Sequence, residues 1–274
     1  MEFSTIEVQA AGQSGRITLN RPAKLNPLST TTLEELVEAA RWFDSQQDVK
    51  VVVVEGRGRS FSAGADLVAF GAGASRSGQG NAVTQASRRE AADAGRRMAD
   101  AVEAMRAVTI ARIQGHCVGG ALVLAAACDL RVATDTANFF IPEVDLGIPL
   151  AWGGIPRLVR EIGPALAKEL VMTCRPFTSA EAQAAGFLNR VVPDAGLDAE
   201  VEALVAQLVG KSSLTLTATK RHVNAVTEGM VGTARSWSDA DSLVTAQGDT
   251  ESRALAANYL STVRAGGRAE TETP

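Results

Sequence analysis

The chain has 274 residues, of which 46% are hydrophobic, 21% charged and only 4% aromatic. This is enough apolar material for a sizeable core built mainly from small and aliphatic side chains. The formal net charge of -4 argues against general affinity for nucleic acid or for an anionic membrane. No segment approaches the roughly 20 consecutive apolar residues of a membrane span, and the acidic start lacks a secretory signal pattern. We therefore predict a cytoplasmic protein without nucleic-acid or membrane partners.

Cysteine and histidine are too few and too scattered to indicate a disulfide framework or a metal site. Cys117, Cys128 and Cys174 lie in apolar stretches, which predicts reduced and buried thiols. His116 and His222 are far apart and have no cysteine or acidic partners at metal-ligand spacing. The excess of arginine over lysine is typical of a bacterial source. The sequence thus predicts no metal centre.

Strand and helix signals alternate in the first half of the chain. Thr32, with Glu35 three residues later, has the pattern of a capping box in which Thr32 is the N-cap of a helix. The four valines at 51–54 form a short apolar run that is typical of a strand buried on both faces. Other patterns predict strands at 15–19, 108–113 and 130–133 and helices at about 85–106 and 121–127.

The pattern becomes wholly helical after about residue 195. Amphipathic segments are predicted at 197–209, 213–227 and 238–264, and no strand signal of comparable strength separates them. This change marks the best candidate for a boundary. We expect an α/β core at residues 1–195 and a helical region at residues 196–274.

Two common catalytic motifs are absent from the sequence. The chain has no Gly-x-Ser-x-Gly elbow, which removes the usual support for a serine nucleophile. No Gly-x-Gly-x-x-Gly turn follows a predicted strand, which argues against a dinucleotide-binding site.

Two glycine-containing turns do follow predicted strands. SFSAGADL occupies residues 60–67, and QGHCVGGA occupies residues 114–121 at the start of an apolar helix. Small residues leave backbone N–H groups uncovered, and such groups at a helix N-terminus carry partial positive charge. Two turns of this kind facing one another can bind a developing oxyanion. Either turn alone is more simply interpreted as a tight connection.

These turns belong to a series of motifs that resembles the enoyl-CoA hydratase/isomerase (crotonase) superfamily. The series follows the order of the family over most of residues 3–195, and it consists of ITLNRP (17–22), KLN (24–26), FSAGADL (61–67), GHCVGG (115–120), CDL (128–130), PEVDLG (142–147) and GGIPRL (153–158). The resemblance implies an α/β crotonase fold, also called ClpP/crotonase-like, which is a right-handed superhelix of repeated ββα units. It implies that the helical C-terminal region forms trimers, often paired into hexamers. It also implies an acyl-CoA thioester substrate, with coenzyme A as part of the substrate and no separate cofactor.

The resemblance also assigns residues to the site. Backbone N–H groups of Ala65 and Gly120 are expected to hold the thioester carbonyl, and Glu143 is expected to be the catalytic acid or base. Val68 stands where family members often have lysine, so one contact to coenzyme A differs from the family pattern. The residues expected to contact the coenzyme A or acyl part are Lys24, Leu25, Ala63, Asp66, Leu67, Val68, Val123 and Trp152.

The acidic positions decide which reaction the resemblance favours. Hydratases of the family use two glutamates to activate one water, and these positions correspond to Val123 and Glu143. Because valine cannot hold or move a proton, the pattern favours an isomerase that shifts a 3-enoyl-CoA double bond to the 2-position in fatty-acid oxidation. Ala151 replaces a further acid found in dienoyl-CoA isomerases and aryl-CoA dehalogenases, which disfavours those branches. The alternatives are an enoyl-CoA hydratase of reduced or specialised activity and a catalytically idle acyl-CoA-binding homologue.

Overall fold

The strand patterns of the α/β segment come together in one largely parallel sheet. The computed structural model describes residues 2–66 and 84–271, with the side chains of the last helix as far as residue 262. The sheet consists, in spatial order, of β1 (Ile6–Ala11), β2 (Ser14–Leu19), β3 (Val51–Gly56), β4 (Val108–Ile113), β6 (Leu130–Thr134) and β9 (Arg190–Val192). Strands β1 and β2 pair antiparallel, and each later pair of neighbours is parallel. The strands predicted at 15–19, 108–113 and 130–133 are confirmed to within one residue.

A second, smaller sheet positions one of the glycine turns. It contains β5 (His116–Val118), β7 (Asn138–Phe140) and β8 (Phe177–Thr178) in that spatial order. The chain passes from β4 into β5 through Gly115, whose φ is +58°. A Cβ at this position would lie 2.0 Å from the carbonyl oxygen of Arg59, so only glycine fits this turn. The turn brings residues 114–120 against residues 59–64.

Helices lie between the strands along the chain and make up most of the C-terminal region. The helices predicted at 121–127 and 197–209 are confirmed, the first shifted by one residue. The described helices are α1 (Thr30–Ser45), α2 (Gln85–Ala104), α3 (Gly120–Ala126), α4 (Gly154–Thr173), α5 (Ser179–Ala184), α6 (Leu197–Val209), α7 (Ser213–Met230), α8 (Asp239–Gly248) and α9 (Thr250–Thr271).

The prediction of a capping box in α1 is wrong. The N-cap is Ser29, whose Oγ accepts a hydrogen bond from Thr32 N. Glu35 turns away from the helix terminus, and its carboxylate accepts hydrogen bonds from the backbone N–H groups and hydroxyls of Ser4 and Thr5. Glu35 therefore fixes the segment before β1 to the side of α1, a contact between residues about thirty positions apart that no local pattern reveals.

The segment predicted as one helix at 238–264 is two helices with a break at Asp249. Helix α8 ends at Gly248, and Asp249 has extended backbone angles, with φ -73° and ψ 142°. Its Oδ2 accepts a hydrogen bond from Ser252 N at 2.8 Å, so Asp249 caps the start of α9. The break gives α9 a direction of its own, and α9 passes over the turn at Gly147.

The sheet is covered on both faces, as the valine run of β3 predicts. Val52 and Val54 point into the larger hydrophobic core, whereas Val51 and Val53 pack with Leu197 and Val201 of α6. Alternate residues of a strand point to opposite faces, so a run of four valines fits a strand with two apolar neighbours. The first helix of the C-terminal region is thus part of the structure that supports the sheet.

The described residues also bear on the cysteine and membrane predictions. Cys117, Cys128 and Cys174 are free and buried, as predicted. In residues 2–66 and 84–271, no helix has both the length and the hydropathy that crossing a membrane requires.

Candidate active site

Glu143 lies in the turn between β7 and α4 and is 9% exposed. Its carboxylate rests on Gly119, because a Cβ at that position would lie 2.4 Å from Glu143 Oε1. The other oxygen, Oε2, is buried and has no hydrogen-bond partner among the described residues. A buried carboxylate oxygen without a partner is unusual, because desolvation is costly unless a hydrogen bond offsets it. Such an oxygen is available to a bound ligand.

The environment of Glu143 raises the pKa of its carboxyl group. Burial disfavours the charged form and raises the pKa from its ordinary value of 4.5 to about 7, although the backbone N–H of Glu143 itself opposes part of this effect. A carboxyl group with a pKa near the working pH can both take and return a proton.

The two glycine turns lie against each other, as the oxyanion interpretation requires. Ser62 N donates to the carbonyl of His116 at 2.9 Å, and Val118 N donates to the carbonyl of Ser62 at 3.2 Å. Gly64, with φ +83°, packs so closely on the second turn that a Cβ there would lie 2.4 Å from the carbonyl oxygen of Val118. The tight contact needs glycine at position 64.

These contacts leave two backbone donors unused. No described residue accepts a hydrogen bond from the N–H of Ala65 or of Gly120. Gly120 is the first residue of α3, where the N–H group has no partner within the helix. Both residues line one cavity together with Glu143. The arrangement offers a carbonyl oxygen two donors beside a carboxylate.

The cavity has a volume of about 210 Å³ and an almost entirely apolar lining. Besides Ala65 and Gly120, the lining includes Val123, Ala151 and Trp152, and Glu143 is the single acidic residue among the described lining residues. Val123 is 1% exposed, and its apolar side chain lines the same cavity as Glu143. Leu243 of α8 and Ala256 and Leu260 of α9 also line the cavity.

Comparison with known proteins identifies the family. The family model for enoyl-CoA hydratase/isomerase matches residues 12–262 of this chain. The chain belongs to the enoyl-CoA hydratase/isomerase family. The protein is therefore an acyl-CoA enzyme of this family, and the α/β crotonase fold predicted from the motifs is confirmed.

Individual relatives carry different activities in their names. The probable enoyl-CoA hydratase of Mycobacterium tuberculosis is 34% identical over 239 residues, which are 83% of this chain and 84% of that protein. The peroxisomal Δ(3,5)-Δ(2,4)-dienoyl-CoA isomerase of Arabidopsis thaliana is 35% identical over 74% of both chains. Among solved structures, an enoyl-CoA hydratase/isomerase from Xanthobacter autotrophicus has a TM-score of 0.81 at 29% identity, over 98% of this chain and 96% of that chain.

The residues that we expect to contact coenzyme A lie together at one edge of the site. Leu25, with φ +59°, accepts a hydrogen bond from Ala63 N at 2.8 Å. Asp66 pairs with Arg21 at 3.0 Å, and Lys24 is exposed at the end of the short helix Pro22–Lys24. None of Lys24, Leu25, Ala63 and Asp66 is among the described residues that line the Glu143 cavity. Leu67 and Val68 lie outside the described residues.

Asn26 and Ser62 hold this edge in place through buried hydrogen bonds. Both belong to the motifs, but the sequence analysis did not name them as site residues. The side chain of Asn26, which is 2% exposed, accepts a hydrogen bond from Arg21 N and donates to the carbonyl of Ser60. Ser62 Oγ donates to the carbonyl of Asn26 and accepts from Gly64 N. These bonds connect residues 21–26 to the turn that presents the Ala65 N–H.

The structure also adds α8 and α9 to the site. The sequence places the acyl site within residues 1–195, yet residues 243–260 supply one wall of the cavity. Gly147, with φ +68°, allows this contact, because a Cβ there would lie 2.4 Å from the carbonyl oxygen of Ser252. The glycine of the PEVDLG motif is a sequence feature that is compatible with another segment packing against this turn.

Proposed function

We propose that the protein is an enoyl-CoA isomerase that moves the double bond of a 3-enoyl-CoA to the 2-position. Glu143 is the sole base, and the N–H groups of Ala65 and Gly120 bind the thioester oxygen. The observation that carries the proposal is the buried, unpartnered Oε2 of Glu143 in a cavity where the described lining holds no second carboxylate. The proposed setting is fatty-acid oxidation in the cytoplasm, with coenzyme A as part of the substrate and no separate cofactor.

The proposed reaction needs one carboxylate acting twice. Glu143 takes a proton from the α-carbon, and the electron pair moves into a dienolate whose oxygen accepts hydrogen bonds from Ala65 and Gly120. The same carboxyl group returns the proton to the γ-carbon, which leaves the double bond between the α- and β-carbons. Each oxyanion donor typically contributes about 3 kcal/mol of transition-state stabilisation. A carboxyl pKa of about 7 suits both proton transfers.

Hydration is the second candidate function, and the names of relatives favour it. Besides the mycobacterial protein, the crotonyl-CoA hydratase of Syntrophomonas wolfei is 32% identical over 84% of this chain and 84% of that protein. Adding water to the double bond requires a second group to activate the water. The family resemblance assigns that position to Val123, which lines the cavity and whose side chain offers no hydrogen bond.

The test is an assay of the purified protein with a medium-chain 3-enoyl-CoA, followed by the ultraviolet absorbance of the conjugated 2-enoyl thioester. We expect a sustained rise, and no decay when the 2-enoyl-CoA is supplied instead. A rise followed by decay would establish hydration as well. A flat trace from a protein that binds the thioester would show an idle acyl-CoA-binding homologue and overturn the proposal.

The pH dependence of kcat/KM should report the raised pKa of Glu143. Only the carboxylate form can take the α-proton, so we expect kcat/KM to rise with pH, reach half its maximum near a pH of about 7 and then level off. The measurement is the initial rate at low 3-enoyl-CoA concentration in buffers between about pH 5.5 and pH 8.5. A rate that does not change across this interval would exclude Glu143 as the base.

The proposed assembly is a homotrimer or a pair of trimers, as the family resemblance implies. Helix α7 exposes Leu214, Val223, Val226 and Met230. The last three repeat at helical spacing and share one face of α7. Apolar side chains grouped on one surface are typical of a protein–protein contact, which supports the burial of this face in an assembly.

A further inference from the structure

Trp152 has an unusual backbone conformation for a large side chain. It lies in the turn before α4 with φ +63°, a left-handed conformation that bulky residues rarely adopt. The turn is held from two sides. Gly153 N donates to Asp239 Oδ2 at 2.9 Å, and Arg157 Nη1 donates to the carbonyls of Trp152 and Gly153 at 3.4 and 3.3 Å. The surrounding structure therefore fixes this conformation.

The indole ring of Trp152 fills a slot between two glycines from different helices. A Cβ on Gly95 of α2 would lie 1.9 Å from ring atom Cδ2, and a Cβ on Gly120 of α3 would lie 2.3 Å from ring atom Cζ3. Neither glycine has a positive φ, so the backbone does not demand glycine at either position. Gly95 is inside a helix, where glycine is less favourable than alanine by about 1 kcal/mol. The ring explains why no side chain is present there.

The slot places the ring beside the groups that act on the substrate. Gly120 carries one of the two unused N–H donors, and the preceding Gly119 supports the carboxylate of Glu143. The six-membered part of the indole is the part nearest Gly120. A thioester whose oxygen accepts from Ala65 and Gly120 therefore has the first carbons of its acyl group next to this ring.

We infer that Trp152, seated between Gly95 and Gly120, is a specificity-determining residue that selects acyl groups unbranched next to the thioester. A methyl branch at the α-carbon needs the space that the ring occupies. The described lining exposes mostly apolar surface to the cavity, which suits a straight aliphatic chain. The inference rests on the proposed placement of the thioester in this cavity.

The experiment compares wild type, Trp152→Ala, Gly95→Ala and the double variant by calorimetric titration with two saturated thioesters, hexanoyl-CoA and 2-methylhexanoyl-CoA. Saturated thioesters contain no double bond to move, so binding is measured whether or not the protein is an isomerase. We expect wild type to prefer hexanoyl-CoA, and Trp152→Ala to shift the ratio of the two dissociation constants at least tenfold toward the branched ligand, the range for one methyl group in an apolar pocket.

Gly95 provides an internal control, because it affects the ligand only through the ring. Gly95→Ala alone forces the ring from its slot and is expected to weaken binding of both thioesters. In the Trp152→Ala background the same change meets no ring and is expected to have no effect, which a double-mutant cycle detects as coupling. Trp152→Gly, which suits the positive φ, replaces Trp152→Ala if that variant does not fold.

The outcomes separate this inference from the proposed function. A ratio that stays within twofold of wild type in a folded Trp152 variant would overturn the inference, as would a Gly95→Ala effect that is equal with and without Trp152. If the ratio shifts as expected while 3-enoyl-CoA is not converted, the inference stands and the isomerase proposal falls. Failure of wild type to bind either thioester would overturn both.

Discussion

Glu143→Gln is expected to lower kcat for isomerisation by roughly 10³- to 10⁴-fold, the upper part of the range for a positioned general base. Glutamine keeps the shape of the side chain above Gly119 but cannot take the α-proton. KM should change little, because the N–H groups of Ala65 and Gly120 and the apolar wall remain. The measurement is steady-state conversion of a 3-enoyl-CoA at about pH 8, where the wild-type carboxyl, with its pKa of about 7, is charged.

A kcat within about tenfold of wild type would contradict the role of Glu143, because loss of a general base costs more than that. The exposed Glu34 of α1 is the matched control. Glu34→Gln makes the same chemical change on the surface, and its kcat should equal that of wild type.

The same Glu143→Gln variant should be more stable than wild type at alkaline pH. Between pH 4.5 and about pH 7 the folded protein holds a proton on Glu143 that the unfolded chain has released. Wild-type stability therefore falls as pH rises through this interval, by at most roughly 3 kcal/mol. Glutamine does not titrate, so its advantage in the free energy of unfolding should grow between about pH 5 and pH 8 in urea denaturation. An advantage that shrank with rising pH would contradict the raised pKa.

Arg157→Met is expected to destabilise the fold by about 3 kcal/mol, which corresponds to a fall in Tm of roughly 10 °C for a chain of this size. Arg157 is 1% exposed, and its Nη2 contacts Asp100 at 2.9 Å and Glu103 at 2.5 Å. Methionine fills much of the volume but leaves these carboxylates with less positive charge. Because Arg96 pairs with Asp100 and Arg160 pairs with Glu103, the loss lies at the lower end of the range for a broken buried ion pair.

Arg175→Met is the matched control for this prediction. Arg175 also pairs with two carboxylates, Glu169 and Glu181, but it lies at the surface. Exposed ion pairs contribute little to stability, because water and salt screen them. Thermal unfolding of both variants checks the prediction, and similar Tm values for Arg157→Met and Arg175→Met would contradict it.

Features that depend on a few consecutive residues could be predicted from the sequence. The valine run of β3 predicted a strand buried on both faces, and the two glycine turns predicted uncovered backbone N–H groups. The family resemblance then assigned these groups to Ala65 and Gly120. Predictions for single residues were wrong where a distant hydrogen-bond partner competed with a local one for the same side chain. Glu35 matched a capping box, but Ser4 and Thr5 supply it with more donors than the helix terminus does.

The break between α8 and α9 likewise depends on a contact with a distant segment, which the sequence pattern did not reveal. The amphipathic pattern runs through 238–264 and predicted one continuous segment, although Asp249 is of a residue type that favours a helix N-cap. The structure decides for the cap, since Gly147 leaves room for the start of α9 against the turn that carries Glu143. That contact brings Ala256 and Leu260 over the cavity.

The series of motifs and the strand patterns of the core could be read from the sequence, because residue type and short-range spacing carry them. The assignment of Glu143 and Val123 to the two acid positions is what the family resemblance implies. Two features emerge only in the folded protein: Oε2 of Glu143 is buried with no hydrogen-bond partner among the described residues, and Trp152 lies between Gly95 and Gly120. Burial and close packing depend on atoms from segments far apart in the chain. The raised pKa of Glu143 and the shape of the cavity wall therefore arise only when α2, α3 and the turn before α4 meet.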